Sequence, residues 1–81
     1  MNSKDFSVVV MHFLELRRRE KRWSQEFLSF KTPFSRSDIS HLESGRKELK
    51  IYELILLCKA LEIDKEEVLD KALSYINSNF K

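Results

Sequence analysis

The sequence predicts an all-α domain of five short helices. Three observations predict it. Apolar residues recur at three- and four-residue intervals along most of the chain. Only one glycine and one proline occur, which suits helices joined by short loops and disfavours a turn-rich β fold. Residues that start helices, notably Ser24, Ser35 and Asp64, fall between the periodic stretches. With 81 residues the chain reads as a single domain, 1–81, with one modest core and no room for a separate ligand-sensing module.

The first helix should begin near Ser3–Asp5 and run to about Lys21, with Phe6, Val9, Val10, Phe13 and Leu14 at helical spacing. Val8-Val9-Val10 favours strand locally, but the flanking helix formers outweigh it. Its tail, Arg17-Arg18-Arg19-Glu20-Lys21-Arg22, is strongly basic, and cations near a helix C-terminus complement the macrodipole. Ser24 is the expected N-cap of helix two, with Gln25 and Glu26 in its first turn and Phe27, Leu28 and Phe30 as apolar contacts. Thr32-Pro33 should end it, because proline disfavours α geometry in the residue before it.

Helix three begins at Ser35, where Ser35-x-x-Asp38 resembles a capping box. Ile39 and Leu42 face inward, and Gly45 is a natural residue just past the end. Helix four covers Ile51 to Leu61, with Ile51, Leu54, Ile55, Cys58 and Leu61 as its expected buried stripe. Leu56 and Leu57 widen that face beyond what one core needs. Asp64-x-x-Glu67 should cap helix five, which carries Val68, Leu69, Ala72, Leu73 and Ile76, with Tyr75 and Phe80 near its end. A surplus of apolar residues in so small a domain points to a dimer. Residues 64–79 are the expected dimerisation helix, with Leu57, Val68, Leu69, Ala72, Leu73 and Ile76 at the interface.

Charge is distributed unevenly. Residues 1–50 hold 11 Lys/Arg against 7 Asp/Glu, giving +4, and residues 51–81 hold 4 against 6, giving −2. The front suits a polyanion and the back suits another protein surface. One cysteine excludes an internal disulfide and any multi-cysteine zinc site, and Cys58 falls on an apolar face where packing is its natural role. No signal-peptide layout is present, and no apolar run approaches the ~20 residues of a membrane span, so a cytoplasmic protein without a membrane partner is expected. Catalysis finds little support. His12 and His41 are the only histidines, Cys58 lacks an evident histidine partner, and no Gly-rich phosphate loop or nucleophile elbow occurs. Neither an enzyme nor a cofactor is expected.

Helix three carries the strongest functional signal. Ser37 and His41 are four apart and share a face opposite Ile39 and Leu42, with Arg36 beside them at the helix start. An arginine there can donate two hydrogen bonds to guanine O6 and N7, and serine or histidine can bond base edges. Arg36, Ser37 and His41 are therefore the expected base contacts. Asp38 would act as a cap or accept from cytosine N4. Ser24 and Gln25 sit where the N–H groups of helix two point outward, a favourable place for phosphate. Ser35, Ser40, Arg46 and Lys47 complete the expected phosphate contacts, and Lys50 is placed to do likewise.

Ser24-Gln25, Leu28-Ser29, Ser35-Arg36-Ser37, Ile39-Ser40, Leu42, Glu43-x-Gly45 and Arg46-Lys47 stand in the register of a known pattern. The chain resembles the Cro/C1-type (XRE-like) helix-turn-helix family of phage and bacterial regulators. Ala60-Leu61-Glu62-Ile63 extends the likeness to about Leu69. The resemblance implies a lambda-repressor-like fold with the helix-turn-helix at helices two and three, in a bacterial or phage-encoded, nucleoid-associated protein. It also implies an ion pair between Arg18 and Glu43, a brace that would set the angle between helices. Two residues depart from the family pattern. Pro33 stands where a turn glycine is usual, and Ser29 stands where alanine is usual and needs a hydrogen-bond partner if buried.

In length and in its appended last helix the chain also resembles the small restriction–modification controller proteins, five-helix homodimers that bind palindromic operators. The expected function is sequence-specific binding of double-stranded DNA by a homodimer on an inverted-repeat operator. Repression or autoregulation is the expected output, and RNA polymerase is a further candidate partner. The alternative is a protein-interaction module of the same fold, such as an antitoxin or the partner of another regulator.

Overall fold

A computed structural model describes residues 2–79. Five helices follow one another: α1 Ser3–Glu20, α2 Gln25–Phe30, α3 Arg36–Glu43, α4 Ile51–Leu61 and α5 Lys65–Asn79. Phe80, expected near the end of the last helix, lies outside the described residues.

Central to the fold is α1, which packs against α3, α4 and α5. Its start is closed by a capping box: the Asn2 side chain accepts from the Asp5 N–H at 2.9 Å, and the Asp5 carboxylate accepts from the Asn2 N–H. The three valines remain helical, because Val9 and Val10 enter the core with Met11 and Leu14. Leu28, Ile39, Leu42, Leu57, Leu61 and Val68 meet them there, one or two from each of the other helices.

The basic end of α1 is largely structural. Arg17 donates from Nε to the Leu61 carbonyl at 3.1 Å and from Nη2 to the Glu62 carbonyl at 3.0 Å. These are terminal carbonyls of α4, which lack partners within their own helix. Lys21 adds an ion pair to the Glu62 carboxylate at 2.8 Å, and Arg19 pairs with Glu15 one turn back.

Three expected apolar faces are turned differently. On α4, Ile51 (72 % exposed) and Ile55 face solvent, and the buried stripe is Glu53, Leu54, Leu57, Cys58 and Leu61. Burial of Leu54, Leu57 and Leu61 sets this face, and Glu53 is carried inward with them. Burial within it pushes the Cys58 thiol above its ordinary pKa. On α2, only Leu28 enters the core; Phe27 and Phe30 are exposed, Phe30 to 74 %. A six-residue helix lying across the surface offers the interior little more than one position. On α5, Val68 and Ala72 are fully buried within the chain, as is Leu57 of α4. These three proposed dimer contacts are consumed by packing against α1, which is long enough to cover the face of α5. Leu69 and Ile76 are partly buried beside the core, and Leu73 remains exposed. Among the described residues no helix is long and apolar enough to cross a membrane.

Candidate nucleic-acid interface

The recognition candidate α3 is set up by its own first turn. Ser35 Oγ accepts from the Asp38 N–H at 3.0 Å, and Asp38 Oδ2 accepts from the Ser35 N–H at 3.1 Å. This reciprocal pair satisfies two donors that the helix cannot. The hydrogen bonds from the Ser35 backbone and then its side chain hold the Asp38 carboxyl below its ordinary pKa. Asp38 is thus a cap. Ile39 and Leu42 anchor the inner face, and Arg36, Ser37 and His41 are exposed on the outer one. None of these three side chains is tied by a hydrogen bond or ion pair among the described residues. Ser40 is partly buried and lines a shallow depression with Arg36 and Ser37.

The turn before α3 is built without a left-handed residue. Among the described residues only Arg22, Glu62 and Gly45 have positive φ, and none lies between Lys31 and Ser35. Instead Thr32 Oγ1 donates to the Leu28 carbonyl at 3.2 Å and accepts from the Phe34 N–H at 3.3 Å. Phe34 then drops its ring into the core. A side-chain hydroxyl replaces the backbone freedom a glycine would give, and Pro33 fits the exposed bend between them. Ser29, the other departure, is partly buried and donates to the Glu26 carbonyl within its own helix.

Behind α3 lies the brace. Arg18 donates from Nε and Nη2 to the two Glu43 oxygens at 2.8 and 3.0 Å, a two-pronged pair whose side chains are only 8 % and 6 % exposed. Arg18 Nη1 also donates to the Trp23 carbonyl at 2.6 Å, and Gln25 Nε2 donates to Glu43 at 2.9 Å. Every donor around Glu43 is therefore paired, which is the condition for a buried ion pair to hold. Four parts of the chain meet there: α1, the α1–α2 connection, the start of α2 and the end of α3.

The expected phosphate residues divide. Ser24 and Ser35 use their hydroxyls as caps, Ser24 accepting from the Phe27 N–H at 2.9 Å, and both remain exposed. Arg46 is exposed. Gln25 turns its amide nitrogen inward to Glu43. Lys47 turns its ammonium to Glu53, at 2.8 Å. Glu53, fully buried on α4, was not among the expected functional residues. The one sequence signal for it is an acid three residues after Lys50, at the position where a helix start recruits a carboxylate. Beyond α3 the chain turns at Gly45, φ +80°, with the Lys47 N–H donating to the His41 carbonyl at 3.1 Å.

A helix-turn-helix family model matches residues 14–68, spanning the brace, the turn, α3 and α4. Two crystal structures of the clp gene regulator ClgR from Corynebacterium glutamicum share the fold. One is 27 % identical, with a TM-score of 0.80, over 88 % of this chain and 92 % of that one. The other is 26 % identical, with a TM-score of 0.81, over 90 % of this chain and 78 % of that one. No curated protein matches the sequence. An all-helical domain with an outward polar helix behind a capped turn is what major-groove reading requires. The chain belongs to the Cro/C1-type helix-turn-helix family of DNA-binding transcriptional regulators.

Proposed function

We propose that the chain acts as a homodimer on an inverted-repeat operator and represses transcription, including that of its own gene. The observation that carries this reading is the outer face of α3. Arg36, Ser37 and His41 stand exposed and untied on a helix whose back is locked by Ile39, Leu42 and the Arg18–Glu43 pair. Such a face is pre-organised and pays little ordering cost on meeting base edges. Arg36 reads guanine, Ser37 and His41 bond neighbouring edges or phosphate, and Ser24, Ser35, Ser40 and Arg46 face the backbone. Two copies would set their α3 helices about one helical turn, ~34 Å, apart. Residues 64–79 supply the dimer contact through Leu73, with the edges of Leu69 and Ile76. The protein works in the cytoplasm at the nucleoid, and contact with RNA polymerase would be needed only where it activates.

Arg36→Ala should weaken binding to the operator by about 1–3 kcal/mol and binding to random duplex much less. Equal losses on the two DNAs would sink the assignment. Leu73→Glu should shift sedimentation from dimer to monomer.

One observation favours a second reading, a protein-interaction module of antitoxin or regulator-partner type. Phe27 and Phe30 open to solvent, Phe27 edge-on to Trp23 at 5.0 Å and with Lys31 over its ring at 5.4 Å. Titration with random duplex at two salt concentrations separates the readings. Binding to DNA releases counterions and weakens with salt; a chain whose binding ignores salt belongs to the second reading.

A further inference from the structure

The segment between α3 and α4, residues 44–50, decides where the cations behind the recognition helix point. It is held at several places. The Leu49 N–H donates to Ser7 Oγ of α1 at 2.7 Å, and the Lys50 N–H donates to Glu53 Oε1 at 2.8 Å. The Lys47 ammonium meets Glu53 Oε2 at 2.8 Å. Glu53 has no exposed surface, whereas the Lys47 side chain keeps 34 % of its own. Oε2 has no hydrogen-bond partner among the described residues, so Lys47 is its counter-charge at contact distance, while Oε1 keeps the Lys50 N–H.

A carboxylate removed from water needs a counter-charge at contact distance, and losing the partner costs more than losing both. Lys47 is therefore bound to Glu53 more firmly than an exposed lysine to an exposed acid. Contact with the Glu53 carboxylate does most to favour the charged form of Lys47, and the charges of Asp38 on α3 and Tyr52 on α4 add to it.

We propose that Glu53 is a positioning residue for DNA binding: it withholds Lys47 from the DNA backbone and uses it to clamp residues 44–50 onto α4, directly behind the recognition helix. The proposal rests on the DNA-binding reading and narrows it. The chain's basic front half then offers DNA one cation fewer than its sequence suggests. The loop leaving α3 is fixed before DNA arrives.

The test is the salt dependence of binding to a random-sequence duplex, measured for three proteins. They are the wild type, the double variant Lys47→Met/Glu53→Met and the single variant Glu53→Gln. The double variant removes both charges together and leaves no stranded carboxylate, so it keeps the fold testable by circular dichroism. Each phosphate contact contributes about 0.9 to the slope of log affinity against log salt. The double variant should keep the wild-type slope. Glu53→Gln leaves one carbonyl oxygen for two donors and no charge, so Lys47 is released and the slope should steepen by about 0.9. A double variant shallower by about 0.9 would overturn the proposal, since Lys47 would then be a phosphate contact. An unchanged slope in Glu53→Gln would overturn it as well. Wild-type binding without salt dependence would overturn the DNA-binding reading itself, whatever the variants do.

Discussion

The two ends of the recognition helix are secured in opposite ways. At its start, the contacts are local: Ser35 and Asp38 bond each other three residues apart, and Thr32 bonds residues two and four away. At its end, the contacts are tertiary: Glu43 is met by Arg18 from 25 residues away and by Gln25 from 18. The next segment is tied to Ser7 from 42 residues away. A local end can form as soon as the helix does. A tertiary end exists only once α1 and α4 have docked. The start thus sets the helix in being, and the end sets the angle at which it is presented.

The comparison can be broken from the tertiary side first. Glu43→Ala strands the buried Arg18 and should cost about 3–5 kcal/mol in urea unfolding, while the double variant Arg18→Met/Glu43→Leu should cost much less. If the double variant lost as much as the single one, the pair would be a source of stability in itself and not a partnered burden. Phe34→Ala comes next. It empties the one large side chain that anchors the start of α3, and should cost about 3 kcal/mol in the same measurement. A loss that small beside Glu43→Ala would keep the tertiary end dominant; a larger one would reverse the order.

Gly45→Ala should cost about 1–2 kcal/mol. A Cβ there would meet only Val8 Cγ2 at 3.5 Å, an ordinary contact, so the penalty lies in the left-handed backbone at φ +80°. Asparagine, which tolerates that conformation, should recover part of it. The smallest effect belongs to the capping box. Asp38 is held below its ordinary 3.8, so its contribution is complete above that value and is lost as pH falls through the lowered one. Thermal midpoints recorded as pH is lowered should decline less steeply in Asp38→Asn than in the wild type. A parallel decline would remove Asp38 from the account.

Legibility in the sequence follows the same division. Ser24, Ser35, Asp38 and Gly45 were readable because caps act over three or four residues, and the five helices follow from them with periodicity. The Arg18–Glu43 brace was readable only through the family resemblance, since nothing in spacing alone joins those positions. Glu53 was not readable as a clamp, because its importance comes from burial that only docking creates. Faces failed where the pattern was ambiguous. Ile51 and Ile55 satisfy a helical stripe as well as Leu54, Leu57 and Leu61 do, and Phe27 and Phe30 look like core until α2 proves too short to bury them. The surplus read as a dimer face was partly the core itself, as Val68, Ala72 and Leu57 demonstrate.

Trp23 is the chain's single tryptophan, and its carbonyl accepts from Arg18 at 2.6 Å while its ring packs edge-on against Phe27 at 5.0 Å. Lys21 lies over that ring, also at 5.0 Å. The molecule thus carries its own fluorophore at the hub where α1, α2 and α3 converge. Emission will track that hub, while circular dichroism averages over all five helices. Where the two signals part company during unfolding, the optical record will separate loosening of the DNA-reading half from melting of α5.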